Sequence, residues 1–157
     1  MTWQEICDEP TLQNLPFKVE INEKGQITLS PASNHHGRHQ IKIGNILDRQ
    51  MSEGEVIGEC SVDTADGGVR VADVAWLSAE FFSRHGYETP YSKAPDLCVE
   101  VTSPSNSRRE IEEKTALYLA AGAKEVWICN ATGEIRFISP AGPMEKSALF
   151  PEFPSQI

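Results

Sequence analysis

Two acids sit where apolar strands ordinarily carry none. Asp73 lies inside Arg70-Val71-Ala72-Asp73-Val74-Ala75-Trp76, and Glu100 inside Leu97-Cys98-Val99-Glu100-Val101. A carboxylate flanked by valines is costly to bury unless a cation or hydrogen-bond donors accompany it. If the two strands are neighbours the two acids converge. They then repel and raise each other's pKa unless a cation lies between them. Oxygen ligands of this kind suit Mg²⁺ or Mn²⁺ rather than Zn²⁺. For Glu100 a plainer reading stays open, in which the polar side of its strand simply faces solvent. Asp96 shares the Glu100 side of that strand, because side chains alternate, at roughly 13 Å along a straight strand. It is the alternative carboxylate.

Lys114 adds a positive group. The spacing of Ile111, Lys114, Tyr118 and Ala121 places its ammonium on a half-apolar helix face. There it either snorkels at the edge of the core or reaches back over the carboxylates to orient water or balance a phosphate.

The elements that must hold these groups follow from pattern. Residues 17–21 and 26–29 read as two short strands around a 22–25 turn, and 30–34 as a breaker whose last residues are good helix caps. Ile43, Ile46, Leu47 and Met51 form one helical stripe. Residues 55–62 and 69–77 predict a hairpin around an Asp- and Gly-rich turn, and 78–82 a short helix with Gly86 beyond its end. The strand at 97–101 is stopped by Ser103-Pro104-Ser105-Asn106. Ser107 and Glu110 have capping-box spacing, which predicts a helix over 108–121 ending at Gly122. Two short strands follow at 125–129 and 134–138. The tail from 139 carries Pro140, Pro143, Pro151 and Pro154 and reads as irregular or as an edge strand. A hairpin feeding a β-α-β unit gives an α/β (α+β) fold, a mixed β-sheet flanked by α-helices. The expectation is one domain over 1–157, with 1–16 as an N-terminal extension and 139–157 as a Pro-rich C-terminal segment.

Composition narrows the function classes. The 157 residues carry 23 Asp and Glu against 14 Lys and Arg, a net charge of −9, which argues against a nonspecific nucleic-acid coat or a basic membrane binder. No apolar run approaches the roughly 18 residues of a membrane span, and the acidic start is unlike a secretory signal. Cys7, Cys60, Cys98 and Cys129 lack zinc-site spacing and read as free, buried thiols of a cytoplasmic protein. No GxSxG, P-loop or GxGxxG motif is present.

The run Pro95-Asp96-Leu97-Cys98-Val99-Glu100-Val101-Thr102-Ser103-Pro104-Ser105, followed by Glu113-Lys114, Tyr118 and Ala121-Gly122-Ala123-Lys124-Glu125-Val126-Trp127, closely resembles the restriction-endonuclease family called Uma-two, within the PD-(D/E)XK nuclease superfamily. Upstream, Glu20, Leu29-Ser30-Pro31, His36-Gly37 and Val71-Ala72-Asp73-Val74-Ala75-Trp76 fall in the family's order. Leu149-Phe150-Pro151-Glu152-Phe153 resembles its closing segment. The resemblance spans about 17 to 153.

It implies a restriction-endonuclease-like core and a metal-dependent endonuclease acting on DNA, with Mg²⁺ or Mn²⁺ as cofactor. Asp73 and Glu100 would be the metal carboxylates, with Asp96 as the alternative, and Lys114 would complete the catalytic set. Val101-Thr102 follow Glu100 where x-Lys is expected, so the lysine role passes to Lys114. Glu20, Glu59 and His36 are outer candidates. Arg108, Arg109 and Lys124 form the local basic grouping for nucleic acid, and a homodimer suits a small nuclease that cuts two strands. The competing expectation is a nuclease-fold protein without catalysis, serving binding or regulation. The charge of −9 favours it, because phosphate contacts need Lys and Arg.

Overall fold

A mixed eight-stranded sheet runs through the protein, in a computed structural model that describes all 157 residues. Helix α1 (Trp3–Asp8) precedes a hairpin of β1 (Phe17–Ile21) and β2 (Ile27–Pro31). Helix α2 (Asn34–Gln50) leads to a second hairpin of β3 (Glu55–Asp63) and β4 (Val69–Leu77). After α3 (Ala79–His85) come β5 (Leu97–Val101), α4 (Arg108–Ala120) and β6 (Glu125–Cys129). The chain finishes with β7 (Ile135–Ser139) and β8 (Gly142–Met144). The sheet order is β2-β1-β4-β5-β6-β7-β8, with β3 on β4. Only β5 and β6 pair in parallel, and α4 makes the crossover between them.

Each element forms for a local reason. Ser33 caps α2 through the His36 N–H, and Ser107 and Glu110 close a reciprocal capping box on α4. Strands β5 and β6 are buried along their whole length, as suits central strands covered on both faces. On one face Ile43 and Leu47 of α2 pack with Val74, Trp76, Val99 and Trp127. On the other, Tyr118 of α4 packs with Ala75, Cys98, Val126 and Ile128.

Three expectations change. Ser30 and Pro31 are not a breaker but the end of β2, paired with Lys18 and Phe17. Proline is tolerated there because β2 is the edge of the sheet. The tail does supply an edge strand, β8, but beyond it Phe150 and Phe153 enter the α2-side core instead of trailing as irregular chain. Cys7 is exposed, on a short helix that buries only Ile6, whereas the other three thiols are buried and free.

Strand β4 determines where chemistry can sit. Its one edge pairs with β3 from end to end except at Asp73. Its other edge is shared: β1 pairs only at Val69, through Ile21, and β5 only at Val74, Ala75 and Trp76. Side chains take over the interval between. Glu20 accepts the Val71 N–H at 2.7 Å, and Asp73 accepts the Val101 N–H at 2.7 Å. The pleat also slips at Asp73, because Ala72 and Ala75 belong to the same core cluster instead of alternating. Glu59, between the paired Gly58 and Cys60, has a positive φ of 50° at this level. Gln40 fills the gap, donating to the Asp73 carbonyl at 2.8 Å and to Glu59 at 2.7 Å.

Candidate active site

Where β1 and β5 part company over β4, charges of alternating sign form a chain. Glu20 meets Lys114 at 2.8 Å, Lys114 meets Glu100 at 3.3 Å, and Glu100 meets Lys18 at 3.1 Å. Lys18 in turn meets Asp73 at 2.9 Å, and Asp73 meets His36 at 3.3 Å. Lys18 and Glu20 share one side of β1 because they are two apart. Asp73 and Glu100 stand one step beyond the paired Val74 and Val99, at the point where the two strands separate. Lys114 and Tyr118 lie four apart on α4, so both reach the same carboxylate. Tyr118 donates to Glu100 Oε1 at 2.7 Å. His36 comes from the first turn of α2.

The group is buried and its members hold one another's charge. Asp73 is fully buried and Glu100 is 6% exposed. Burial works against ionised Asp73, but the His36 hydrogen bond, the Lys18 charge and the Val101 N–H outweigh it and hold its pKa well below the usual carboxylate range. Glu100 goes the other way. Burial raises its pKa beyond what Lys114 and Lys18 offset, and Asp73 and Glu20 add to the rise. For Lys18, burial opposes the charge, and Glu100, Asp73 and Glu20 more than reverse it, so the ammonium stays protonated. The Asp73 hydrogen bond raises His36 against the cost of burial. Burial and Glu100 push the Tyr118 phenol well above its ordinary value.

The structure thus brings together Asp73, Glu100, Lys114, Glu20 and His36. Glu59 lies beside them, held by Gln40, and lines the same groove. Asp96 does not join: at the other end of β5 it accepts the Ser78 N–H at 2.9 Å and pairs with Lys124 at 3.0 Å. Lys124 is thereby also turned away from the group. Arg108 and Arg109 project from the start of α4, 91% and 88% exposed in their side chains, paired with Glu112 and Glu113 along the helix surface. Pattern reading missed Lys18, the only group that touches both Asp73 and Glu100. Its signal was available: a lysine two residues before Glu20 on a strand shares its face. The Tyr118 hydroxyl and Gln40 were missed too, and neither carries a sequence signal apart from α4 spacing.

Two cavities flank the Glu100–Lys114 pair. An open groove of about 900 Å³ is lined by Lys18, His36, Glu59, Asp73, Glu100 and Lys114 among others. A smaller cavity of about 270 Å³ lies toward Glu20, Arg70 and Glu110. No three His, Cys, Asp or Glu side chains converge as a ready-made metal cage. The donor set nevertheless fits one hard divalent ion. Asp73 Oδ1 and Glu100 Oε2 both lie within 3.1 Å of a single cationic nitrogen. Mg²⁺ commonly takes only one or two carboxylates and completes its shell with water and substrate phosphate. The groove leaves room for both.

Comparison with known proteins bears on family and fold. Residues 3–142 match the model of the Uma2 family, described as "Putative restriction endonuclease". Among solved structures the chain is similar to a putative nuclease belonging to DUF820 from Anabaena variabilis. The match has a TM-score of 0.69 and 18% identity, over 89% of this chain and 80% of that one. At this identity the likeness speaks to the fold, a mixed sheet flanked by helices. No curated protein matches the chain.

Proposed function

This chain is a member of the Uma2 family, and from that premise we propose that it is a divalent-metal-dependent endonuclease that hydrolyses phosphodiester bonds in DNA. The observation that carries the reading is the clamp: Asp73 and Glu100, from adjoining strands, grip one cationic nitrogen on the wall of an open groove. Asp73 and Glu100 would hold Mg²⁺ or Mn²⁺. The bound ion would supply Lewis acidity to a phosphate oxygen and lower the pKa of water.

The chain's own groups do the rest. The Val101 N–H and His36 fix the Asp73 carboxylate from one side. The Tyr118 hydroxyl fixes Glu100 from the other. Lys114, tethered by Glu20, brings a full positive charge to the groove, where it offsets negative charge developing on the phosphoryl group. Arg108 and Arg109 extend into solvent from the helix that carries Lys114 and serve as contacts to the DNA backbone. A homodimer would supply one such groove for each strand of a duplex.

Cleavage of supercoiled plasmid and of single-stranded DNA in Mg²⁺ or Mn²⁺ tests this. Glu100→Gln, Asp73→Asn and Lys114→Met should each lower the rate by about 10²-fold or more, as loss of a transition-state charge partner does. Cleavage indifferent to all three removes the mechanism. One observation favours the competing reading of a non-catalytic nucleic-acid binder: the Lys18 ammonium already occupies the clamp. That reading predicts metal-independent DNA binding with no cleavage by the wild-type protein.

A further inference from the structure

Lys18 stands apart from the rest of the cluster. Its side chain comes from β1, which pairs with β4 at a single position, and reaches across the gap to both carboxylates. Its Nζ is 2.9 Å from Asp73 Oδ1 and 3.1 Å from Glu100 Oε2, so it fills the point on which an oxygen-bound cation would sit. A lysine ammonium and a divalent ion cannot share that point. Lys18 also lines the 900 Å³ groove, which gives its long, flexible side chain somewhere else to go. The other lysine, Lys114, binds the opposite oxygen of Glu100 and is tethered by Glu20. It contacts Asp73 in no hydrogen bond or ion pair, so it is compatible with a cation in the clamp.

We propose that Lys18 is a resident counter-ion, which plugs the Asp73–Glu100 clamp and must swing into the groove before a divalent ion enters. Metal binding and the position of Lys18 are then one coupled event. The inference deepens the metal-dependent reading above and rests on it. Its logic is competition: the divalent ion must break two charge-assisted contacts that the lysine already makes. In the plugged state the buried carboxylates remain compensated, so the fold does not depend on metal.

Mn²⁺ alone is the probe, in three measurements on the full chain. The first needs no substitution. Lys18 of the wild-type protein, 11% exposed in its side chain, should acetylate slowly with an amine-reactive ester and faster when Mn²⁺ is added, with exposed Lys24 as internal reference by mass spectrometry. The second is Mn²⁺ affinity by electron paramagnetic resonance. Lys18→Met should bind about tenfold more tightly or better, since even one of its two charged contacts no longer needing to be broken has that effect. Lys114→Met, which removes an equal charge from the far side of Glu100, should tighten binding less. The third is thermal unfolding: Lys18→Met should melt lower than wild type without divalent ion and recover when Mn²⁺ is added.

Wild-type binding of Mn²⁺ with Lys18 labelling unchanged overturns the plug and leaves the metal site standing. So does equal tightening in the two methionine variants, which would be a general charge effect. If neither wild type nor either variant binds Mn²⁺ at millimolar concentration, the metal-dependent reading itself fails and the plug with it.

Discussion

Of the five buried acids on strands or at their ends, four look alike in the sequence and differ in the fold. Asp73 and Glu100 share a cation, whereas Asp96 and Glu125 serve structure. Asp96 receives the Ser78 N–H and the exposed Lys124, and so caps the passage from β4 into α3. Burial works against its charge, but the Ser78 N–H and Lys124 prevail, so its pKa lies below the ordinary aspartate value. A depressed folded-state pKa contributes stability above the unfolded value of about 4, and that stability is lost as pH falls through the folded value. Asp96→Asn should therefore cost about 1–2 kcal/mol at neutral pH, by loss of a charge-assisted contact. It should also lose less stability than wild type on acidification below pH of about 4. Urea unfolding across that range checks both. A variant that keeps the wild-type acid dependence would show that Asp96 is not the titrating group.

Among the elements, β6 and the C-terminal segment show how one acid can organise a length of chain. Glu125 at the start of β6 accepts from Trp127 Nε1, Ser147 Oγ and the N–H groups of Ala148 and Leu149, at 2.6 to 2.9 Å. This anchor turns the proline-rich tail back and sets Phe150 and Phe153 against Trp127. Glu125→Gln keeps the shape but faces an amide N–H₂ toward donors, at a cost of about 3 kcal/mol. Thermal unfolding should show the loss, and limited proteolysis should cut first beyond 146. Unchanged protease resistance of the tail would assign its docking to the aromatic packing alone. The other decisive element is β4. The capping box of α4, the turns and the apolar β5 and β6 were legible because each depends on neighbours in sequence. The shared edge of β4, paired with β1 at one position and with β5 at three, was not, because strand register between distant segments leaves no local mark.

For the molecule as a whole, the charge of −9 must be set against a polyanionic substrate. The groove itself carries more acids than lysines, with Glu59, Asp73, Glu100 and Glu110 against Lys18 and Lys114. Outside it the nearby cations are Arg108 and Arg109, with Arg70 at the smaller cavity already paired to Asp66. DNA association should therefore be weak in chelator and strengthened by Mg²⁺. Log affinity should fall against log salt with a shallow slope of about −2 to −3, that of two or three phosphate contacts. Fluorescence anisotropy with a labelled duplex measures it, and a steep slope would point to a basic surface elsewhere. No helix is long and apolar enough to cross a membrane. By itself the sequence determined the fold class, the family and the pair of strand acids, because hydrophobic period, capping and the 95–127 motif are written in consecutive residues. Only the tertiary structure decided which acids meet, that Asp96 is spent on Ser78 and Lys124, and that Lys18 lies between Asp73 and Glu100. Those outcomes depend on contacts across 55 and 82 residues of chain, and burial makes such contacts strong only once the strands have closed around them.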